Sequence, residues 1–286
     1  MTLIMHDATQ AQIVQFIVRP AQALLIAGPD GIGKTALAES IVTKVLGIEP
    51  ESLTTHPQVK RIAADGQSIS IDAIRELQRF LQLKTIGTST YRRAVIVEHA
   101  QALTQEAQNA FLKLLEEPPA DTLLILTVHN PRALLPTILS RTQVITAHTP
   151  TKEQLQPLLA GVEPMAASQA YFLSGGLPGL LSALVSEDQT HPLLASVATA
   201  KEILQKSAFE RLSLVDGLSK QKDQVRAVLE ALERIAAAGL TGAAGKQDAA
   251  RIKQWHRIRK MALETRGYIE KSANAKLALS NLFLHL

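Results

Sequence analysis

Residues 23–35 read Ala23-Leu24-Leu25-Ile26-Ala27-Gly28-Pro29-Asp30-Gly31-Ile32-Gly33-Lys34-Thr35. An unbroken apolar run ended by a Gly-Pro turn has the character of a strand buried on both faces. From Lys34 to Leu46 the apolar positions Ala36, Ala38, Ile41, Val42 and Val45 recur at helical spacing. Between the two, Gly28 to Thr35 fit the pattern G-x-x-x-x-G-K-S/T. Glycines let successive N–H groups turn inward around phosphate oxygens, and the helix that follows points its positive end at the same anion. Lys34 then supplies a point charge for the β- and γ-phosphates, and the Thr35 hydroxyl a ligand for Mg²⁺. Gly28, Pro29, Asp30, Gly31, Ile32, Gly33, Lys34 and Thr35 are therefore candidate ligands of ATP or ADP. The competing reading is a glycine-rich turn without a ligand.

Along the chain from this stretch, short apolar runs alternate with helical patterns. Gln58 to Ile62 reads as a strand after His56-Pro57. Ser70 is placed to cap a helix carrying Ile74, Leu77, Phe80 and Leu81 on one side. Ala94 to Val97 is a second buried strand, and a helix from Thr104 to Glu117 stops at Pro118-Pro119. Leu123 to Thr127 and Val144 to Thr146 complete the strands. This alternation predicts an α/β fold, a parallel sheet with helices on both faces.

After about residue 149 the pattern changes. Thr151-Lys152-Glu153-Gln154 is a capping box. Gly175-Gly176-Leu177-Pro178-Gly179 breaks the chain and restarts a helix at Pro178. From Thr190 to Leu286 only helical patterns remain, roughly five helices at typical lengths. The expected divisions are 1–149, 150–187 and 188–286. The Ala- and Gly-rich stretch Ala236 to Gly245 reads as a flexible joint.

Composition narrows the function classes. The 286 residues include no cysteine, which excludes disulfide scaffolds, Cys-ligated zinc, iron–sulfur clusters and thiol catalysis. The histidines are scattered, so no zinc is expected. Aromatic residues make up only 3%, against a binder built on base-stacking platforms. The start, Met1 to Asp7, lacks the charged and apolar regions of a secretory signal. No run of about 18 apolar residues occurs, so no membrane-spanning helix is expected. A net charge of +4 does not by itself point to nucleic acid.

Hydrolysis at a phosphate loop also needs an acidic pair at the end of a second strand, one carboxylate for the Mg²⁺ shell and one to activate water. Here the strand from Ala94 to Val97 ends in Glu98-His99-Ala100. Glu98 is the candidate Mg²⁺ carboxylate. His99 stands in the second place, or, in the other register, Val97 stands in the first. A neutral imidazole is a weaker base than a carboxylate poised by burial. Glu98 and His99 are otherwise read as polar residues at a strand end.

Several further segments, taken in order, carry a resemblance. They are Gly28 to Thr35, His56-Pro57, Ser68 to Leu77, Ala107 to Pro119, Leu134 to Arg141 and, near the end, Asn274 to Leu284. Together they resemble the bacterial clamp-loader subunits of the AAA+ ATPases, and among them the delta-prime type of DNA polymerase III. The resemblance implies a nucleotide-binding core (1–149), a helical lid (150–187) and an all-α collar (188–286). The collar would join tau/gamma- and delta-type subunits in a hetero-pentameric ring that meets the sliding clamp and primed DNA, in the cytoplasm at the nucleoid. It also implies that Arg141, in Ser140-Arg141-Thr142, acts in trans on the γ-phosphate of a neighbour's ATP. The family has cysteine where Thr142 stands. Outside the family pattern, Arg141 reads as a solvated helix-end charge or one half of a local carboxylate pair.

The departures from the family's ATP-hydrolysing motor subunits are specific. The motors end the Glu98-His99 strand in Asp-Glu. Their lid arginine has Pro178 in its place here. Their four zinc-binding cysteines are missing. The sensor threonine is assigned to Thr127, within a register that runs to His129-Asn130. The pattern is that of a stator subunit whose own site binds ATP or ADP with Mg²⁺ and turns it over poorly. The alternatives are an active tau/gamma-type ATPase and a small-molecule P-loop kinase. The latter needs a second substrate pocket that no residue pattern specifies, and a DNA branch-migration ATPase needs an intact acidic pair. Arg251, Lys253, Arg257, Arg259 and Lys260, with Trp255 and His256, read first as a solvated helix face and second as a basic face near DNA. Arg92-Arg93 reads as an edge or loop charge pair, and Leu277 to Leu286 as a core seam or a subunit contact.

Overall fold

A computed structural model describes residues 3–65, 68–83, 85, 90–186, 192–271 and 273–286. They form two units, Met1–Gln154 and Leu155–Leu286. The expected boundary at 187/188 lies outside the described residues.

The first unit runs α1 (Asp7–Val18), β1 (Ala23–Ala27), α2 (Lys34–Leu46), β2 (Val59–Ile62), α3 (Ile71–Gln82), β3 (Arg93–Val97), α4 (Gln105–Glu116), β4 (Thr122–Val128), α5 (Pro136–Leu139) and β5 (Gln143–Thr146). The five strands form one parallel sheet in the order β2-β3-β4-β1-β5. The apolar runs that mark β1, β3 and β4 are buried along their whole lengths. Alternate residues serve opposite faces. Leu25, Val95, Val97, Leu124 and Leu126 join Ile74, Leu77 and Phe111 in one core layer. On the other face α2 lies against β1, β3 and β4 and packs on α1. Ser70 and Thr104 cap α3 and α4 by accepting from Ala73 and Ala107 N–H.

Arg93 departs from its expected place. It is buried as the first residue of β3, donates to Phe80 O (2.8 Å) and Leu83 O (2.6 Å), and stacks over the Phe80 ring. The guanidinium thus satisfies carbonyls at the C-terminal end of α3, where a helix concentrates partial negative charge. Asp121 completes this corner. Burial alone would raise its carboxyl, but hydrogen bonds from Thr85 and Thr122 and the charges of Arg93 and Arg92 outweigh that, holding it below the ordinary carboxylate range.

At the end of this unit the capping box forms as read. Thr151 N–H donates to Gln154 Oε1 (2.9 Å) and Gln154 N–H to Thr151 Oγ1 (3.3 Å), opening the one-turn helix α6 (Lys152–Leu155). Among the described residues the second unit is entirely helical beyond that point: α7 (Pro164–Ser174), α8 (Pro178–Ser186), α9 (Pro192–Gln205), α10 (Ala208–Leu218), α11 (Lys222–Gly245), α12 (Ala249–Glu270) and α13 (Ala275–His285). Gly175 and Gly176 take left-handed φ values of 61° and 78° between α7 and α8, and Pro178 opens α8.

The Ala236 to Gly245 stretch is no joint: it is the C-terminal part of α11, to that helix's last residue. Alanine has the highest helix propensity, and Ala236 and Ala243 are buried. Gly239 has a packing role, because a Cβ there would collide with the Trp255 indole of α12. The C-terminal leucines divide. Leu279, Leu282 and Phe283 are core, whereas Leu277 and Leu284 are exposed. Arg251, Lys253, His256, Arg257, Arg259 and Lys260 are all exposed on α12.

Candidate nucleotide site

The loop after β1 emerges at the C-terminal edge of the sheet, between the ends of β4 and β5. Gly28 N–H donates to Val128 O (3.1 Å), and Ala147 N–H to Ala27 O (2.7 Å). A Cβ on Gly28 would lie 2.9 Å from Ala147 O, so only glycine fits where the loop leaves the sheet. Gly31 and Gly33 take φ values of 82° and 93°, in the left-handed region that favours glycine. Gly33 is also the N-cap of α2 and offers no side chain to its first-turn N–H groups, unlike Ser70 on α3 and Thr104 on α4. Those amides, with Lys34 and Thr35 at the helix start, make a cradle that suits an anion.

Lys34 is 6% exposed. Its Nζ lies 2.8 Å from Gly28 O, 3.0 Å from Pro29 O and 3.2 Å from Asp30 Oδ1. The ammonium is therefore held over the loop by the loop's own oxygens, and the Asp30 carboxylate competes for it with any phosphate.

The neighbouring strand ends contribute the rest. Thr127 is buried, and its Oγ1 accepts from His99 N–H at 3.0 Å. That hydrogen bond ties the end of β4 to the turn after β3. His99 adopts a left-handed φ of 50°, uncommon for a residue with a Cβ. The side chain of Thr127 thus meets the turn at His99, beside Glu98.

Glu98 has a partner that the sequence reading did not identify. Arg61 of β2 places Nη1 3.7 Å from Glu98 Oε1 and pairs through Nη2 with Glu39 of α2. The parallel register sets Arg61 beside Ile96 and Ile62 beside Val97. Arg61, Ile96 and Glu98 therefore share the face that α2 covers. Among the described residues, no three His, Asp or Glu side chains gather as a metal site. The residues present fit a nucleotide's phosphates. Glu98 is drawn to the Arg61 guanidinium, which competes with any metal for its carboxylate.

Arg141 lies elsewhere. It follows α5 and precedes β5, whose first residue, Gln143, is level with Leu24 of β1. It therefore sits at the N-terminal edge of the sheet, while the Gly28–Thr35 loop sits at the C-terminal edge. Arg141 Nη2 pairs with Glu116 Oε1 at 2.9 Å, and Nη1 donates to Thr137 O at 3.2 Å. The local carboxylate pair weighed from the sequence is thus present. It is an exposed pair, of a kind worth about 0–1 kcal/mol, so it orients Arg141 without locking it. Thr142 donates its hydroxyl to Ile138 O (3.1 Å) and closes the end of α5.

The comparisons with known proteins bear on this geometry. A family described as "DNA polymerase III, delta subunit" matches residues 17–151, from just before β1 to just past β5. A DNA polymerase III subunit delta' of Pseudomonas aeruginosa is 32% identical over 229 residues, covering 72% of this chain and 63% of its own length. The chain belongs to the delta-prime clamp-loader family. Another delta' subunit, from Escherichia coli, is 30% identical over 59% of this chain and 56% of its own. The chain thus spans 63% and 56% of the lengths of these two relatives. A solved structure of a DNA polymerase III, gamma subunit-related protein from Thermotoga maritima shares the fold (TM-score 0.55, 18% identity, 97% of each chain covered). The shared fold is a parallel five-stranded core followed by helices. No described helix is long and apolar enough to cross a membrane.

Proposed function

We propose that this delta-prime family member is a stator-like subunit of the DNA polymerase III clamp loader. It occupies a hetero-pentameric ring with tau/gamma- and delta-type subunits and assists ATP-dependent loading of the sliding clamp on primed DNA, in the cytoplasm at the nucleoid. Its own loop, Gly28 to Thr35, holds ATP or ADP, with Thr127 as the sensor threonine, and turns the nucleotide over slowly. Arg141 serves the site of a neighbouring subunit. The lid is taken as residues 150–187 and the collar as 188–286.

The observation that carries this reading is the placement of Arg141 and the phosphate loop at opposite edges of one parallel sheet. Four residues of β5 separate them at about 3.3 Å per residue, which supports a role for Arg141 on a phosphate other than its own. A planar guanidinium with two donors facing one way suits a γ-phosphate that gains charge in the transition state. Slow turnover in cis is supported by the single carboxylate at the end of β3 and its pairing with Arg61.

The test is Arg141→Ala in the reconstituted complex, after sizing shows that the ring assembles. Nucleotide affinity of the isolated chain is expected to stay at the wild-type value. Turnover at the neighbouring site that Arg141 serves is expected to fall by on the order of 10³-fold, in the range of other arginine fingers, and the ATPase of the ring is expected to fall by that site's share. Arg141→Lys is expected to rescue poorly. An assembled mutant ring with wild-type ATPase and clamp loading would reduce Arg141 to a surface charge.

A further inference from the structure

Glu39, Arg61 and Glu98 come from three elements, α2, β2 and the end of β3, and meet in one charge cluster. All three side chains are at most one third exposed. Glu39 stands four residues after Thr35 on α2, so the two share a helix face, about 6 Å apart along the axis. The guanidinium therefore lies one helical turn below the hydroxyl that a phosphate-bound cation would use. On its other side it meets the carboxylate that the same cation would draw on. Two carboxylates facing one another across α2 and β3 without a cation between them would repel. Arg61 supplies that positive charge permanently, because a guanidinium does not deprotonate in a protein.

We infer that Arg61 is the resident counter-cation of this nucleotide site. It holds Glu98 and Glu39 in place of a divalent ion, so the loop binds nucleoside di- or triphosphate without drawing on a metal at Glu98. The inference rests on the reading of Gly28 to Thr35 as a nucleotide site for its ligand, but the cluster is testable by itself. Arg61 is thus a positioning residue: it touches the carboxylates, not the phosphate.

Two measurements on the full chain decide it. The first is ATP affinity by calorimetry, in Mg²⁺ and in EDTA. Wild-type affinity is expected to differ by less than about threefold between the two, whereas Arg61→Gln is expected to bind about tenfold or more tightly in Mg²⁺ than in EDTA. The second uses Mn²⁺ alone, without nucleotide, followed by electron paramagnetic resonance. The wild type is expected to leave Mn²⁺ free, Arg61→Gln to bind it, and Arg61→Gln/Glu98→Gln to lose it again. Wild-type protein that binds Mn²⁺ through Glu98, or whose ATP affinity rises tenfold or more with Mg²⁺, overturns the inference, and these arms need no variant to fold. A folded Arg61→Gln protein that binds no Mn²⁺ and gains no Mg²⁺ dependence overturns it as well. If the wild type binds no ATP in either buffer, the nucleotide reading fails, and the Mn²⁺ arm still decides the role of Arg61.

Discussion

Replacing Lys34 with methionine isolates the charge on which the proposed nucleotide binding depends. The ammonium touches oxygens of Gly28, Pro29 and Asp30 at 2.8 to 3.2 Å. A phosphate must offer more than these to draw it away, so the gain on binding is the surplus of one set of charge-assisted bonds over another. A hydrogen bond to a charged group has a net worth of about 1.5–3 kcal/mol. Losing one such bond corresponds to about a 10- to 150-fold weaker Kd. Lys34→Met is expected to fall in that range for ATP and ADP alike. Asp30 adds a second, opposite effect, since its carboxylate both competes for the ammonium and repels the incoming phosphates. Asp30→Asn is therefore expected to tighten binding by a few-fold, about 0.5–1 kcal/mol, because the ammonium exchanges one anionic partner for another. In the Lys34→Met background the same change keeps only the repulsive part and gives a smaller gain. Titration of the isolated chain with a fluorescent ATP analogue measures all four proteins. A Lys34→Met protein that binds within about threefold of wild type would refute the reasoning, because the phosphates would then be held without the lysine.

Three further outcomes follow from the packing. Arg93→Met takes the charged donor from the Leu83 carbonyl and from that of Phe80, which keeps only the Leu83 N–H, and urea unfolding is expected to show a loss of about 2–3 kcal/mol, with no rescue by Arg93→Lys. Asp121, with its carboxyl held below the ordinary range, contributes stability that is complete above the unfolded carboxyl value of about 3.9 and is lost as pH falls through the lower folded value. Unfolding curves of wild type and Asp121→Asn are therefore expected to separate at neutral pH and to converge in acid. An equal gap at pH 7 and below pH 3 would contradict this. Gly239→Ala, which raises helix propensity by about 1 kcal/mol, is instead expected to destabilise by about 1–3 kcal/mol through the Trp255 ring. In a Trp255→Leu background its sign is expected to reverse, as thermal melts would show.

The loop, its strand and its helix were legible because their signals are local. A run of apolar residues names β1, glycines at 31 and 33 permit left-handed turns, and Lys34-Thr35 opens the helix. Caps act over three residues, so Ser70 and Thr151 could be read directly. The parallel alternation of strands and helices followed from the same short-range patterns, and the order of familiar segments placed Arg141 in its motif.

What the sequence could not supply was the partner of each charge. Arg61 sits in β2 with no local cue, and only the β2–β3 register and the lie of α2 bring it between Glu39 and Glu98. Arg93 looked like a loop charge until the end of α3 was seen to place two carbonyls beside it. Ala236 to Gly245 carried the composition of a joint, yet alanine propensity and the Trp255 ring on Gly239 make it helix. The opposite placement of Arg141 and the phosphate loop likewise depended on the register of β1 with β5. Backbone preference is decided by near neighbours in the chain. The field around a charge is decided by groups tens of residues away, and only the tertiary fold brings those within a few ångströms.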